Sequence, residues 1–178
     1  MAYSGLNDPP KMVHRSTVKE RYMDFEKFKN EVINLNEFEK KEIRNKYIEK
    51  FVNTGSEIYQ KQIKEKHEFS DGYCYLGYLW DCIINPSIVE EEYIERLNIK
   101  DELVYVFWDI HSCERIFIKD YWKFEKDAVL QVKLKILLQN EKFLPEDIYI
   151  VDKNFAWTLI KTHEDIEGKR YCIKSGRI

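Results

Sequence analysis

The first half of the chain places apolar residues at the spacing of amphipathic helices. Asp24 stands where it would cap a first helix, and Asn36 with Glu39 three residues later has the form of a capping box. Ser56 follows a Thr-Gly break and is placed to begin a third helix that runs to about His67. These signals predict three helices before the next break in the pattern.

Two more helices are predicted after the Ser-Asp-Gly break at 70–72. Residues 73–84 carry a stripe of large apolar side chains and fit a largely buried helix. Ser87 and Glu90 form a second capping box, and the glutamates that follow suit the first turn of a helix. The N-terminal half is therefore expected to be helical.

The hydrophobic period changes to that of β-strands after residue 102. Residues 103–108 are apolar on both faces, which predicts a central strand covered on two sides, and 114–118 is expected to pair with it. Residues 129–138 fit a strand by alternation and a helix by the spacing of their leucines. Asp127 as a cap and Asn140 as an end signal favour the helix.

A β-hairpin is the clearest element of the second half. Two short apolar runs within 147–162 are joined by the turn-forming residues 152–154, which are expected to be exposed. Alternation in the second run predicts that Phe155, Trp157 and Leu159 face a helical layer. On the same register the following polar residues reach the rim of the sheet, with His163 partly buried at the end of the strand.

These elements predict an α+β fold, in which a helical N-terminal half packs on a mostly antiparallel sheet of about four or five strands. Residues 169–174 provide the last strand. Residues 1–20 contain Pro-Pro and little hydrophobic periodicity, so they are expected to form a flexible tail. Residues 21–178 are expected to form a single domain.

Composition narrows the class of protein. With 44% hydrophobic and 34% charged residues, the 178-residue chain has the composition of a globular protein. Its net charge of −3 and pI of about 5.9 disfavour nucleic acid as a partner. The first twenty residues have no signal-peptide pattern and no run is apolar enough to span a membrane, so a cytoplasmic protein is expected.

Few residues in the sequence combine into known catalytic or binding motifs. The four cysteines are widely and irregularly spaced, and no glycine-rich phosphate loop occurs. Glu114 with His111 and Glu164 with His163 are short-range pairs of metal-ligating residue types, but two ligands do not make a metal site. Neither a metal nor a cofactor is predicted.

His163 is the strongest candidate for chemistry. It lies at the end of the second hairpin strand beside Glu164 and Asp165, with Asp152 in the turn, and a histidine next to a carboxylate can act as a general base. The same histidine could instead use both ring nitrogens in structural hydrogen bonds. His111 near a cysteine is better explained as part of a polar turn than as half of a nucleophilic pair.

Aromatic residues make up 15% of the chain, more than a core of this size is expected to hold. Trp122 looks the most exposed of them, and Tyr121, Trp108 and the loop residue His111 are further candidates for a binding surface. Tyrosine and tryptophan are favoured at protein interfaces, so the partner predicted from this surplus is another protein. A homo-oligomer is also compatible with it.

The hairpin resembles a family of small bacterial cytoplasmic proteins known as a domain of unknown function. The likeness is sharp over 147–164, in the strings Asp-Ile-Tyr-Ile-Val-Asp, Phe-x-Trp-Thr and Thr-His-Glu, and extends faintly over 40–174. In that family the Trp corresponding to Trp80 is usually followed by His and Phe, whereas here 81–82 is Asp-Cys. The resemblance implies the fold and the bacterial cytoplasm but no mechanism.

Two functions follow as hypotheses. The leading one is a non-enzymatic protein-binding module, such as an immunity or antitoxin protein or a regulator, and it rests on the aromatic surplus and the lack of catalytic motifs. The alternative is a small hydrolase with a rim site around His163. A pocket in which His163 meets a carboxylate or a nucleophile would favour the enzyme.

Overall fold

The computed structural model describes residues 24–97, 101–116, 118 and 121–177. The predicted flexible tail at 1–20 lies outside these residues. The helices are α1 (Phe25–Glu31), α2 (Glu37–Phe51) and α3 (Leu134–Gln139). The strands are β1 (Ile33–Asn34), β2 (His67–Phe69), β3 (Gly72–Cys74), β4 (Ser87–Glu90), β5 (Leu103–Phe107), β6 (Val129–Lys133), β7 (Ile148–Asp152), β8 (Trp157–Ile166) and β9 (Lys169–Gly176).

Seven of the strands form one antiparallel sheet in the order β1-β6-β5-β7-β8-β9-β4, and β2 pairs with β3 separately. The predicted α+β class with a mostly antiparallel sheet is confirmed. The predicted count of four or five strands is wrong, because the short edge strands β1 and β4 come from the half of the chain expected to be helical. None of the helices in the described ranges is long and apolar enough to cross a membrane.

The first two helices begin where their caps predict. The Asp24 side chain accepts a hydrogen bond from the Lys27 N–H at 2.9 Å. The Asn36 side chain accepts from the backbone N–H of Glu39 while the Glu39 carboxylate accepts from that of Asn36, which completes the capping box. The predictions for α1 and α2 are confirmed.

Helices cover both faces of the sheet. Phe28 of α1 and Leu137 of α3 pack on one face, in what we call the α1/α3 core. Tyr47 and Phe51 of α2 pack on the other face, in the α2 core. Because both faces are buried, the central strands are apolar on both sides, as predicted for 103–108.

Four predicted elements are wrong in type or pairing. Residues 73–84 form part of β3 and a 3-10 turn at Leu79–Cys82, and the supposed capping box at Ser87 opens β4 and a 3-10 turn at Glu91–Arg96. Residues 129–138 form a strand that continues into the short helix α3. The described residues of 114–118 belong to no strand, and β5 pairs with β6 and β7 instead. The helix expected from Ser56 is present as a π-helical segment, Tyr59–Lys64.

The predicted hairpin is present as β7 and β8, but its faces differ from the expectation. Trp157 and Leu159 lie in the α1/α3 core, whereas Phe155, which has a φ of 56°, lies in the α2 core. Thr158 and Ile160, which alternate with Trp157 and Leu159 along the strand, are also buried, under α2. The second strand therefore has no solvent-facing side over this stretch.

A bulge in β8 determines where His163 points. Lys161 pairs with Cys172 and Asp165 with Arg170, so residues 162–164 stand opposite the single residue Tyr171 of β9. Regular alternation would place His163 on the face of Trp157. The imidazole instead contacts rings of the α2 core, so the prediction that it continues the face of Trp157 is wrong.

Candidate functional site

A cavity of about 320 Å³ opens beside the end of β8. This volume is at the lower end of the range for small-molecule sites. Its walls come from the segment after β3, the segment after β5, and the facing ends of β7 and β8. The lining residues are Tyr78, His111, Arg115, Ile116, Ile118, Tyr121, Glu146, Asp147 and His163.

A histidine–carboxylate pair forms one wall of the cavity. Nδ1 of His163 lies 2.8 Å from Oδ1 and 2.9 Å from Oδ2 of Asp147, and the backbone N–H of His163 donates to the same Oδ1 at 2.7 Å. The Asp147 side chain is 10% exposed and the imidazole 41% exposed. Burial raises the pKa of Asp147, and its hydrogen bonds with His163 oppose that rise. With Nδ1 held by the carboxylate, Nε2 is the ring atom left for a substrate.

His111 also lines the cavity and is almost fully buried. Its Nδ1 lies 3.3 Å from the Tyr75 carbonyl oxygen, and Nε2 is shielded from solvent with no hydrogen-bond partner among the described residues. Burial lowers the pKa of His111 to about 4, so the ring is neutral at pH 7. Because a carbonyl only accepts, Nδ1 carries the proton and Nε2 presents a lone pair.

Tyr78 connects the two histidines. Its ring centroid lies 4.8 Å from that of His111 and 5.8 Å from that of His163, and the ring also stacks on that of Trp80 at 3.9 Å. Burial raises the pKa of Tyr78, and likewise that of Tyr121, so both phenols stay protonated at neutral pH and can donate hydrogen bonds.

A buried polar network holds the Tyr78–Trp80 segment in place. The Asp109 carboxylate accepts from the Leu79 N–H at 3.4 Å and from the Tyr149 hydroxyl at 2.6 Å. The Tyr149 oxygen in turn accepts from the Trp80 N–H at 3.0 Å. Burial raises the pKa of Asp109 to about 7, although the Tyr149 hydrogen bond opposes this. The network fixes the backbone of Leu79 and Trp80 and thereby positions Tyr78, which lines the cavity.

The other carboxylates predicted around His163 do not join it in the cavity. Asp152 is buried and accepts from the backbone N–H groups of Asn154, Ala156 and Trp157, so it organises the hairpin turn. Asp165 accepts from the Gly168 N–H in the next turn, and Glu164 is exposed. Turn residues 153–154 are exposed as predicted, whereas Asp152 is not.

The predicted binding residues occupy three different settings. Trp108 is buried and donates from Nε1 to the Lys126 carbonyl oxygen at 2.8 Å. Trp122 is half-buried against the α1/α3 core, so the expectation that it is the most exposed aromatic is wrong. Tyr121 and His111 line the cavity, which brings two of the four together with His163.

The site residues predicted from the sequence did not include Asp147, Tyr78 and Arg115. Asp147 stands directly before β7, where the pairing of Ile148 with Lys161 brings it opposite the bulge. That register could have been inferred from the predicted hairpin. The position of Arg115 could not, because it depends on a loop packing against the chain that follows β3.

No cluster of three or more metal-ligating side chains occurs within the described ranges. Comparison with models of protein families, with curated proteins and with solved structures found no match. The likeness to the bacterial family therefore stays a prediction.

Proposed function

We propose that this protein is a small hydrolase-type enzyme in which His163 is the general base. The observation that carries the proposal is the contact of His163 Nδ1 with both oxygens of Asp147 at the wall of the cavity. A buried carboxylate in this position holds the imidazole in the tautomer that leaves the Nε2 lone pair available, as in catalytic triads.

The nucleophile in this proposal is water. No serine, threonine or cysteine is among the described lining residues. His163 Nε2 accepts a proton from the water as its oxygen bonds to the electrophilic carbon or phosphorus of the substrate. The leaving group departs with the bonding electrons and takes up the proton. The neutral phenols of Tyr78 and Tyr121 are suited to donate hydrogen bonds to the negative charge that develops on the substrate oxygen.

Turnover of small chromogenic substrates tests the proposal. We would measure kcat/KM for 4-nitrophenyl acetate, 4-nitrophenyl phosphate and bis(4-nitrophenyl) phosphate with wild type, His163→Ala and the control Glu164→Gln. Loss of a general base lowers the rate by about 100- to 10 000-fold, and the control changes only an exposed neighbouring charge. Equal rates for wild type and His163→Ala on every substrate would refute the proposal.

A protein-binding role, which was the leading hypothesis from the sequence, is the second candidate. It is supported by Ile33 in the edge strand β1 and Phe38 in the first turn of α2, which are 57% and 76% exposed. The partner would be another protein in the bacterial cytoplasm, as the resemblance implies. A partner that is retained by wild type and Tyr73→Ser but lost by Phe38→Ser would support this role, since Tyr73 is a similarly exposed aromatic elsewhere. A partner retained by all three proteins would count against this surface.

A further inference from the structure

We propose that the cavity binds a small organic anion, a carboxylate or a phosphate, that carries a hydroxyl or amino group a few atoms from the anionic group. The inference rests on the proposed function and specifies its substrate class. Arg115 receives the anionic group, and His111 receives the hydrogen of the hydroxyl or amino group.

The unpaired Nε2 of His111 is the first observation. A buried polar atom without a partner is rare in proteins and costs free energy unless a ligand or water satisfies it. Since Nδ1 donates to the Tyr75 carbonyl, Nε2 can only accept while the ring is neutral. The complementary ligand group is therefore a donor, such as a hydroxyl or an amine.

The guanidinium of Arg115 is the second observation. Nη1 donates to the carbonyl oxygens of Tyr75 at 3.2 Å and Leu76 at 2.8 Å, which fixes the group at the edge of the cavity. Among the described residues no carboxylate forms an ion pair with it. The two acidic residues of the lining have partners of their own, Asp147 in His163 and Glu146 in Arg170. Arg115 thus keeps planar N–H donors for an oxyanion.

One carbonyl oxygen places the two groups side by side. The Tyr75 oxygen accepts from both His111 Nδ1 and Arg115 Nη1, so these nitrogens lie close together. A ligand that meets both groups must carry its anion and its donor only a few atoms apart. The Tyr78 ring contacts both histidine rings and all three side chains line the one cavity, so a ligand bound there at His111 lies near His163.

Binding of matched ligand pairs tests the proposal. The first pair of probes is mandelate and phenylacetate, and the second is glycerol 3-phosphate and n-propyl phosphate. Within each pair only the first member carries hydroxyl groups. The first pair has a carboxylate as its anionic group and the second pair has a phosphate. Dissociation constants would be measured by NMR titration at pH 7.5. An unpaired buried acceptor corresponds to a preference of about 5-fold to about 150-fold for the hydroxylated member of at least one pair.

Three variants assign that preference to its residues. In His111→Asn the amide N–H can keep the bond to the Tyr75 carbonyl while the acceptor at Nε2 is removed, so the preference should disappear. His111→Gln, whose amide oxygen can reach the position of Nε2, should restore part of it. Arg115→Gln should weaken both members of a pair by the same factor. Folding of each variant is checked by circular dichroism.

Three outcomes would overturn the proposal. Wild type could bind both members of each pair equally, the preference could survive in His111→Asn, or none of the four probes could bind. His163→Gln separates this result from the proposed catalysis. This variant should keep the preference for the hydroxylated ligand. If wild type shows that preference but no His163-dependent turnover, the proposed catalysis is refuted and the ligand proposal stands.

Discussion

Asp147 contacts His163 through three hydrogen bonds, two to Nδ1 of the ring and one to the backbone N–H. The backbone bond fixes the carboxylate against β8, and the ring bonds fix the imidazole against the carboxylate. The pair is therefore held from both sides before any ligand arrives, which is the condition for general-base catalysis without reorganisation.

The variant Asp147→Asn should lower His163-dependent turnover by about 100- to 10 000-fold, because an amide N–H facing Nδ1 stabilises the wrong tautomer. ¹⁵N NMR of the imidazole should show the proton moving from Nδ1 to Nε2. Glu164→Gln, which alters a neighbouring carboxylate outside the cavity, should leave both the rate and the tautomer unchanged. An Asp147→Asn protein with wild-type turnover would contradict the assigned role.

The Asp152 side chain should stabilise the hairpin rather than support catalysis. Its Oδ1 accepts from the N–H groups of Ala156 at 2.6 Å and Trp157 at 2.9 Å, and its Oδ2 from that of Asn154 at 3.0 Å. Asp152→Ala should reduce the free energy of unfolding by about 2–4 kcal/mol, since it leaves these donors without partners. Urea denaturation would measure this, with exposed Lys153→Ala expected to change it by less than about 0.5 kcal/mol. Equal stability of the two variants would contradict the turn role.

Two glycines with positive φ should respond differently to alanine. At Gly176, φ is 85° and a Cβ would lie 2.2 Å from the Ala156 carbonyl oxygen and 2.8 Å from the Trp157 Cα. At Gly168, φ is 76° and no atom lies within 4 Å of a Cβ. Thermal and urea unfolding should show a loss of about 1–2 kcal/mol for Gly168→Ala from backbone strain alone, and of more than about 3 kcal/mol for Gly176→Ala. Losses of equal size would show that the contact with Ala156 relaxes.

Acid should destabilise the protein through His111. Its pKa is lowered to about 4 in the folded state, against an ordinary value of 6.5. Between these pH values the unfolded chain binds a proton that the folded chain does not. The stability contribution of the neutral ring is therefore complete above about pH 6.5 and is lost as the pH falls towards 4.

Removing the imidazole should remove that loss. Relative to wild type, His111→Asn should gain about 2–3 kcal/mol of unfolding free energy between pH 7 and pH 4.5, measured by urea denaturation. Asp109 acts in the opposite direction, because its raised pKa makes the fold less stable as the pH rises from about 4 to about 7. That contribution is present in both proteins and cancels in the difference. Parallel pH profiles would contradict the burial of a neutral His111.

Local signals predicted the elements that depend on neighbouring residues. The caps at Asp24 and Asn36 and the turn after β7 use side chains that bond to the backbone within five residues, so the sequence is sufficient to identify them. The helix predicted over residues 129–138 has a physical explanation. The sheet has helices on both faces, so β6 is apolar on both sides, and its leucine together with those of α3 matches one helical stripe.

The site was only partly predictable for a related reason. His163 is conspicuous at the end of an alternating strand, and it does line the cavity. Its partner Asp147 depends on the pairing of β7 with β8, and the burial of His111 depends on the chain after β3 crossing over the loop after β5. These are contacts between residues far apart in the chain, which periodicity does not encode.

The bulge at residues 162–164 makes the site sensitive to chain length. Here β8 has three residues opposite one of β9, and this excess carries His163 to the side of Tyr78. Removing Thr162 alone would turn the imidazole of His163 to the opposite face of the sheet, although the chain would still contain every other side chain that lines the cavity. Across descendants of this chain, a substitution at Thr162 would leave the histidine in place, whereas an insertion or deletion there would eliminate the site in one step.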